Sequence, residues 1–139
     1  MIHFFYEDCL PFNQILQKKL DKTTQLVEKE GFKQGELSVI FCSDDYLLSL
    51  NKTYLNHDYF TDIITFSYNE EGIVSGDLFI SVDRTKENAE KNNVSISNEL
   101  ARLVIHGMLH LCGFNDKSQE EINVIRKKEE EYLKMFGFT

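Results

Sequence analysis

The sequence predicts one α/β domain of the α+β kind, with a mixed, mainly parallel sheet of about four strands packed by about five helices. Three observations predict it. The chain has 139 residues, the size of one ordinary domain. Its composition is 42% hydrophobic, with 11 phenylalanines, one proline and seven glycines, enough for a core and too few breakers for a linker-rich or disordered chain. Its hydrophobic pattern runs in the order β-α-β-α-β-β-α-α-α, which calls for parallel neighbours joined by helical crossovers.

Residues 2–6 are aromatic and apolar and read as a first strand. Leu10-Pro11 marks a boundary, because the residue before proline is pushed away from helix. Phe12, Ile15, Leu16, Leu20, Leu26 and Val27 then recur at near-helical spacing up to Gly31. Leu37, Val39 and Phe41 alternate with Ser38, Ile40 and Cys42, giving a second strand. Ser43, Asp44 and Asp45 are oxygen side chains suited to a helix start, and that helix carries Tyr46, Leu47, Leu50 and Tyr54.

Thr61 to Phe66 is β-branched and aromatic and predicts a strand. A turn containing Gly72 and Gly76 leads into another strand at Asp77 to Ser81, the two forming a hairpin. Residues 83–92 are polar and helix-compatible. Ser97 can cap a helix with Glu99 in its first turn, running to Cys112 and stopped by Gly113. Ile122, Ile125, Glu129, Tyr132, Leu133 and Phe136 trace the stripe of a last helix.

The charge balance is acidic: 15 Lys+Arg against 23 Asp+Glu, a formal net charge of −8. That counts against nucleic acid as a partner, since phosphate binding rests on Lys and Arg. The excess is uneven. Residues 61–116 hold four basic and nine acidic side chains, whereas residues 117–139 hold five of each. An RNA-binding reading therefore needs a local patch or a bound cation. Cys9, Cys42 and Cys112 are odd in number with no CxxC spacing, which fits a reduced, cytoplasmic chain. No apolar run approaches the ~20 residues that span a bilayer, and the N-terminus lacks a basic leader.

The chemistry concentrates in one helix. His106 and His110 sit four apart, so their directions differ by about 40° and their heights by about 6 Å. Both imidazoles can reach one ion. Gly113 lets the chain leave the helix, and Phe114-Asn115-Asp116 can bring a third ligand back. His-x-x-x-His-x-x-Gly-x-x-Asp thus describes a tridentate site with an open fourth position, the usual catalytic zinc arrangement. Two hydrogen-bonded core histidines would give the same spacing, and Asp116 could simply cap the next helix beside Ser118. A helical zinc protease places Glu directly after its first His; here that residue is Gly107, so peptide hydrolysis lacks its base. Cys112 points about 200° from His110 and belongs to the core.

Three blocks resemble the YbeY family of metal-dependent endoribonucleases. They are Leu50-Asn51 through Tyr54 and Asp58 to Thr61-Asp62-Ile63-Ile64-Thr65-Phe66; Gly76-Asp77-Leu78-Phe79-Ile80-Ser81; and His106-Gly107-Met108-Leu109-His110-Leu111-Cys112-Gly113-Phe114-Asn115-Asp116. They span about half the chain. The resemblance implies one YbeY-like metallohydrolase domain over residues 1–139. Its substrate would be single-stranded ribosomal RNA, cut at the 3′ end of the small-subunit RNA, with a role in ribosome quality control. Its partners would be the ribosome or small-subunit proteins, with no membrane. It implies one divalent ion, zinc above iron or nickel, on His106, His110 and Asp116.

Two positions depart from the family pattern. The family's third histidine falls on Asp116, giving a two-His, one-carboxylate set that also suits Fe(II). Leu55 stands where many members carry an arginine; His57 and Lys52 lie nearby, and Leu55 could equally finish the apolar stripe of its helix. For a general base, Asp62 and Asp77 are candidates; the alternative for each is a hydrogen bond to backbone near a strand end. Lys18, Lys19 and Lys22 could contact phosphates or form a solvated face. His3 is isolated and receives no role. Two other function classes stay open: a ribosome-assembly factor with a structural metal, and a small-molecule or peptide metallohydrolase.

Overall fold

In the computed structural model, which describes residues 1–138, β1 (Ile2–Tyr6), β2 (Lys33–Cys42), β3 (Ile63–Ser67) and β4 (Ile73–Ser81) form one sheet in the order β1-β2-β4-β3. β1 pairs parallel with β2, β2 parallel with β4, and β3 antiparallel with β4. The mixed, mainly parallel sheet is the expected one. Strand β3 takes the outer edge, and the chain turns back through Glu71 and Gly72, both at positive φ, to insert β4 beside β2.

The helices are α1 (Gln14–Asp21), α2 (Gln25–Lys29), α3 (Asp44–Leu55), α4 (Val82–Lys91), α5 (Ile96–Leu111) and α6 (Gln119–Met135). A 3₁₀ turn at Lys22–Thr24 joins α1 to α2. Counted as one bent segment, these leave five helices. Ser43 caps α3 as expected, accepting from the Tyr46 N–H.

Strand alternation divides the sheet into two faces. Leu37, Val39 and Phe41 of β2 and Leu78 and Ile80 of β4 point inward and pack with α1, α2, α5 and α6. Cys42, Ile64, Phe66 and Phe79 point outward beneath Leu47 and Leu50 of α3. Helix α5 is the centrepiece of the inner layer. Leu100, Leu103, Ile105, Met108 and Leu109 are almost wholly buried, each stabilising the fold by about 1.5–3 kcal/mol.

Two local expectations are corrected. Gly76 lies inside β4 rather than in the turn. A Cβ there would stand 2.5 Å from the Phe66 carbonyl oxygen and 2.8 Å from the Leu111 side chain. The glycine lets the end of α5 press onto the sheet. The cap of α5 is Ser95, not Ser97: its side chain accepts the Asn98 N–H at 3.0 Å. Asn93, at φ 55°, turns the chain just past the end of α4, and Val94 alone separates it from the capping Ser95. Among the described residues, no helix is long and apolar enough to cross a membrane.

Candidate metal centre

Along α5 from Ala101 to His110, Arg102, His106 and His110 are the residues left partly exposed; all between them are buried. Their spacing of four makes a single stripe facing away from the sheet. Gly107, inside that run, faces β3 and β4. A Cβ there would stand 2.8 Å from Leu78 and 2.9 Å from Ile63. The position that carries the base in helical zinc proteases is therefore turned into the core.

The chain leaves α5 by a left-handed residue, Gly113, at φ 102°. The Phe114 N–H donates to the Leu109 carbonyl and the Gly113 N–H to the His110 carbonyl, both at 3.0 Å. This paired termination satisfies carbonyls that a helix end otherwise leaves free. Two residues past Asp116, Ser118 starts α6 with a full capping box: it accepts the Glu121 N–H while Glu121 accepts its own. Asp116 is thus held between two fixed helix ends and is not itself the cap.

That turn folds Asp116 back over the stripe. The Nε2 atoms of His106 and His110 lie 2.9 Å apart. Asp116 Oδ2 stands 3.3 Å from His110 Nε2 and 3.4 Å from His106 Nε2. Donors at about 2.0–2.1 Å from one tetrahedral ion sit about 3.3–3.4 Å from each other. The triangle thus has nearly the size an ion requires. Among the described residues, no fourth His, Cys, Asp or Glu joins it, and the Asp116 side chain is 44% exposed. A fourth direction is left toward solvent.

Behind the triangle lies a charged cluster, of which the sequence pattern shows Glu129 only as part of an apolar stripe. Glu129 of α6 is 2% exposed. One of its oxygens accepts the His106 Nδ1–H at 2.5 Å and the other accepts from Arg102 at 3.2 Å. With the Nδ1 hydrogen so engaged, His106 turns the lone pair of Nε2 into the triangle. Arg102 also pairs with Glu99, which is 1% exposed. The hydrogen bond to Glu99 holds the guanidinium above its ordinary pKa while burial opposes. A buried carboxylate needs such a partner, because unpaired burial costs several kcal/mol. The available signal was a glutamate at a core position of the last helix.

The other candidates lie elsewhere. Asp77 neighbours the inward Leu78 and so faces the opposite side of the sheet from α5, where its carboxylate accepts from the Tyr68 hydroxyl at 3.0 Å. Asp62 accepts from Asn88 of α4 at 3.2 Å, and its carbonyl accepts the Ser81 N–H. Both act as fastenings of β3 and β4. Leu55 ends α3 at 42% exposure. Its neighbours are engaged: Lys52 pairs with Asp58, and His57 stacks on Tyr59. Lys19 donates to the Gly137 carbonyl and covers Phe138, while Lys18 and Lys22 are exposed. His3 pairs with Glu36. Cys112 is buried, and burial pushes its thiol up to about 11.

A family profile described as Endoribonuclease YbeY matches residues 7–137. The chain belongs to the YbeY family. An Endoribonuclease YbeY of Flavobacterium johnsoniae is 43% identical over 98% of this chain and 97% of its own length. One from Azobacteroides pseudotrichonymphae is 52% identical over 73% of each chain. The solution structure of TM1509 from Thermotoga maritima is 32% identical and superimposes with a TM-score of 0.66, covering 98% of this chain and 91% of that one. The blocks quoted for the YbeY resemblance thus fall inside a match that runs almost end to end. Within the YbeY fold, the donor triangle occupies the junction of α5 and α6.

Proposed function

We propose that this YbeY-family protein is a metal-dependent endoribonuclease that cuts single-stranded RNA, with its ion on His106, His110 and Asp116. The observation that carries this is the donor triangle, 2.9–3.4 Å on its sides, with one imidazole already oriented by a buried carboxylate. The relatives' names supply the reaction class, internal cleavage of RNA. Maturation of the 3′ end of small-subunit ribosomal RNA and ribosome quality control are the biological setting of this reading. Ribosomal RNA and small-subunit proteins are its partners, and the cytoplasm its location.

A divalent ion at this triangle would polarise a phosphate oxygen and lower the pKa of bound water. It also answers the acidic balance of the chain, since it brings positive potential to the place where a phosphate must sit. The protein's own residues do the rest. His106 is kept in one tautomer by Glu129. His110 and Asp116 are set at their distances by the helix and its glycine-terminated turn. Gly107 lets α5 lie close against Ile63 and Leu78, which keeps the His106 and His110 stripe on the face away from the sheet. The two-His, one-carboxylate set suits zinc and is also compatible with Fe(II) or Ni(II).

The test loads purified protein with zinc, Fe(II) or Ni(II) and offers single-stranded and duplex RNA ending in the small-subunit 3′ sequence. Cleavage of the single strand that disappears in His106→Ala and His110→Ala is the expected result. Equal activity in all three proteins would end the proposal. Retained metal and capture of small-subunit components without any cleavage would instead support an assembly factor with a structural ion.

A further inference from the structure

Arg126 of α6 lines the same cavity, about 180 Å³ in volume, as His106, Asp116, Arg102 and Glu129. It is exposed. Among the described residues it enters no ion pair and its side chain donates no hydrogen bond to protein. Of the cations on or beside that lining, two are committed to carboxylates. Arg102 is held by Glu99 and Glu129, and Lys128 by Glu30.

The charges around the cavity sharpen the point. Glu99, Glu129 and Asp116 bring three negative charges, which Arg102 and one divalent ion would offset. Arg126 adds a second cation to that lining in a chain whose formal net charge is −8. Its helix position is fixed from below, because the preceding Ile125 is 1% exposed and anchored in the core. A planar guanidinium held this way presents paired N–H groups that match a phosphate's oxygens.

We propose that Arg126 grips a backbone phosphate of the RNA strand next to the one being cut, providing a cation that Leu55 does not. The assignment rests on the ribonuclease reading above. It makes Arg126 a substrate-binding residue, not a metal ligand.

The experiment compares the parent with Arg126→Ala, Arg126→Lys and Lys127→Ala, the last changing an exposed neighbour that does not line the cavity. Binding of a fluorescent single-stranded oligoribonucleotide is followed by anisotropy over a series of salt concentrations, beside cleavage kinetics and metal content. Arg126→Ala is expected to keep its metal and kcat, weaken binding about tenfold and raise KM to match. Its plot of log affinity against log salt should be shallower by about 0.7, one phosphate contact on a single strand. Arg126→Lys should recover that slope but only part of the affinity. Unchanged affinity and slope in Arg126→Ala, or an equal loss in Lys127→Ala, overturns the proposal while leaving the ribonuclease reading intact. A parent that cleaves no single strand with any of the three metals overturns both, and is recognised by its failure before any variant is compared.

Discussion

Glu129 accepts the Nδ1–H of His106 at 2.5 Å from a helix that begins 13 residues further along the chain. The orientation of a donor imidazole on α5 is therefore a property of how α6 packs. The same carboxylate holds Arg102 with its other oxygen, so one side chain couples the donor set to the salt-bridged seam between the two helices.

Removing that charge should be felt at the ion. Glu129→Gln keeps the side-chain volume but weakens the acceptor facing His106. Zinc affinity, measured by competition with a chelating indicator, is expected to fall about 10–100-fold. Affinity within twofold of the parent would remove Glu129 from any part in metal binding.

Asp116 is the most exposed of the three, its side chain 44% exposed against 17% for His106 and 23% for His110. Asp116→Ala leaves two imidazoles and should lose its metal on dialysis, whereas Asp116→His should retain it. Elemental analysis of the two proteins decides the matter. An alanine variant that holds metal as tightly as the parent shows that Asp116 is not a ligand.

Gly76 offers a test of packing. A methyl group there meets the Phe66 carbonyl at 2.5 Å, and that backbone is fixed by the pairing of β3 with β4. Gly76→Ala is expected to destabilise the fold by about 1–3 kcal/mol, as overpacking of a tight core does. Urea unfolding followed by circular dichroism measures it, and an unchanged midpoint would refute the close approach of α5 to the sheet.

Cys42 and Cys112 predict an alkaline effect. Burial pushes the Cys42 thiol up to about 12 and the Cys112 thiol up to about 11. The ordinary value for a free thiol is 9.0, so the unfolded chain loses these protons first. The stability they support is present below pH 9 and declines as pH rises toward 11–12. A Cys42→Ala/Cys112→Ala variant should therefore lose less stability than the parent between pH 8 and about 10.5. Parallel losses in urea titrations would show that the thiols do not contribute.

Elements whose signals are local could be read from the sequence. The strand pattern, the Ser43 cap, the Gly113 stop and the spacing of His106, His110 and Asp116 each depend on residues within a turn or two of one another. What escaped depends on distant packing. Gly76 looked like a turn residue because nothing nearby in sequence reveals that Leu111 must lie against it. Ser97 read as the cap because nothing local shows that α4 ends at Lys91, which lets α5 start two residues earlier behind Ser95. Asp62 and Asp77 were reasonable acids, but the face of a strand on which a carboxylate lies follows from the whole sheet's register. Glu129 sat in view within an apolar stripe; only the approach of α5 and α6 shows that it completes a pair of buried acids around Arg102.

The turn at Gly113 has one more consequence. Fixing the backbone of a flexible residue costs roughly 1–2 kcal/mol, and a metal that must gather its ligands from a loose loop bears that cost itself. Here the two hydrogen bonds at Gly113 and the capping box at Ser118 hold the short link between His110 and Asp116 in place through the fold's own bonds. An ion bound there would meet His106, His110 and Asp116 already assembled, so its removal should leave the architecture standing. In a zinc finger the metal is the reason the chain folds; an ion on this triangle would be a guest, exchangeable for another species with the scaffold unmoved.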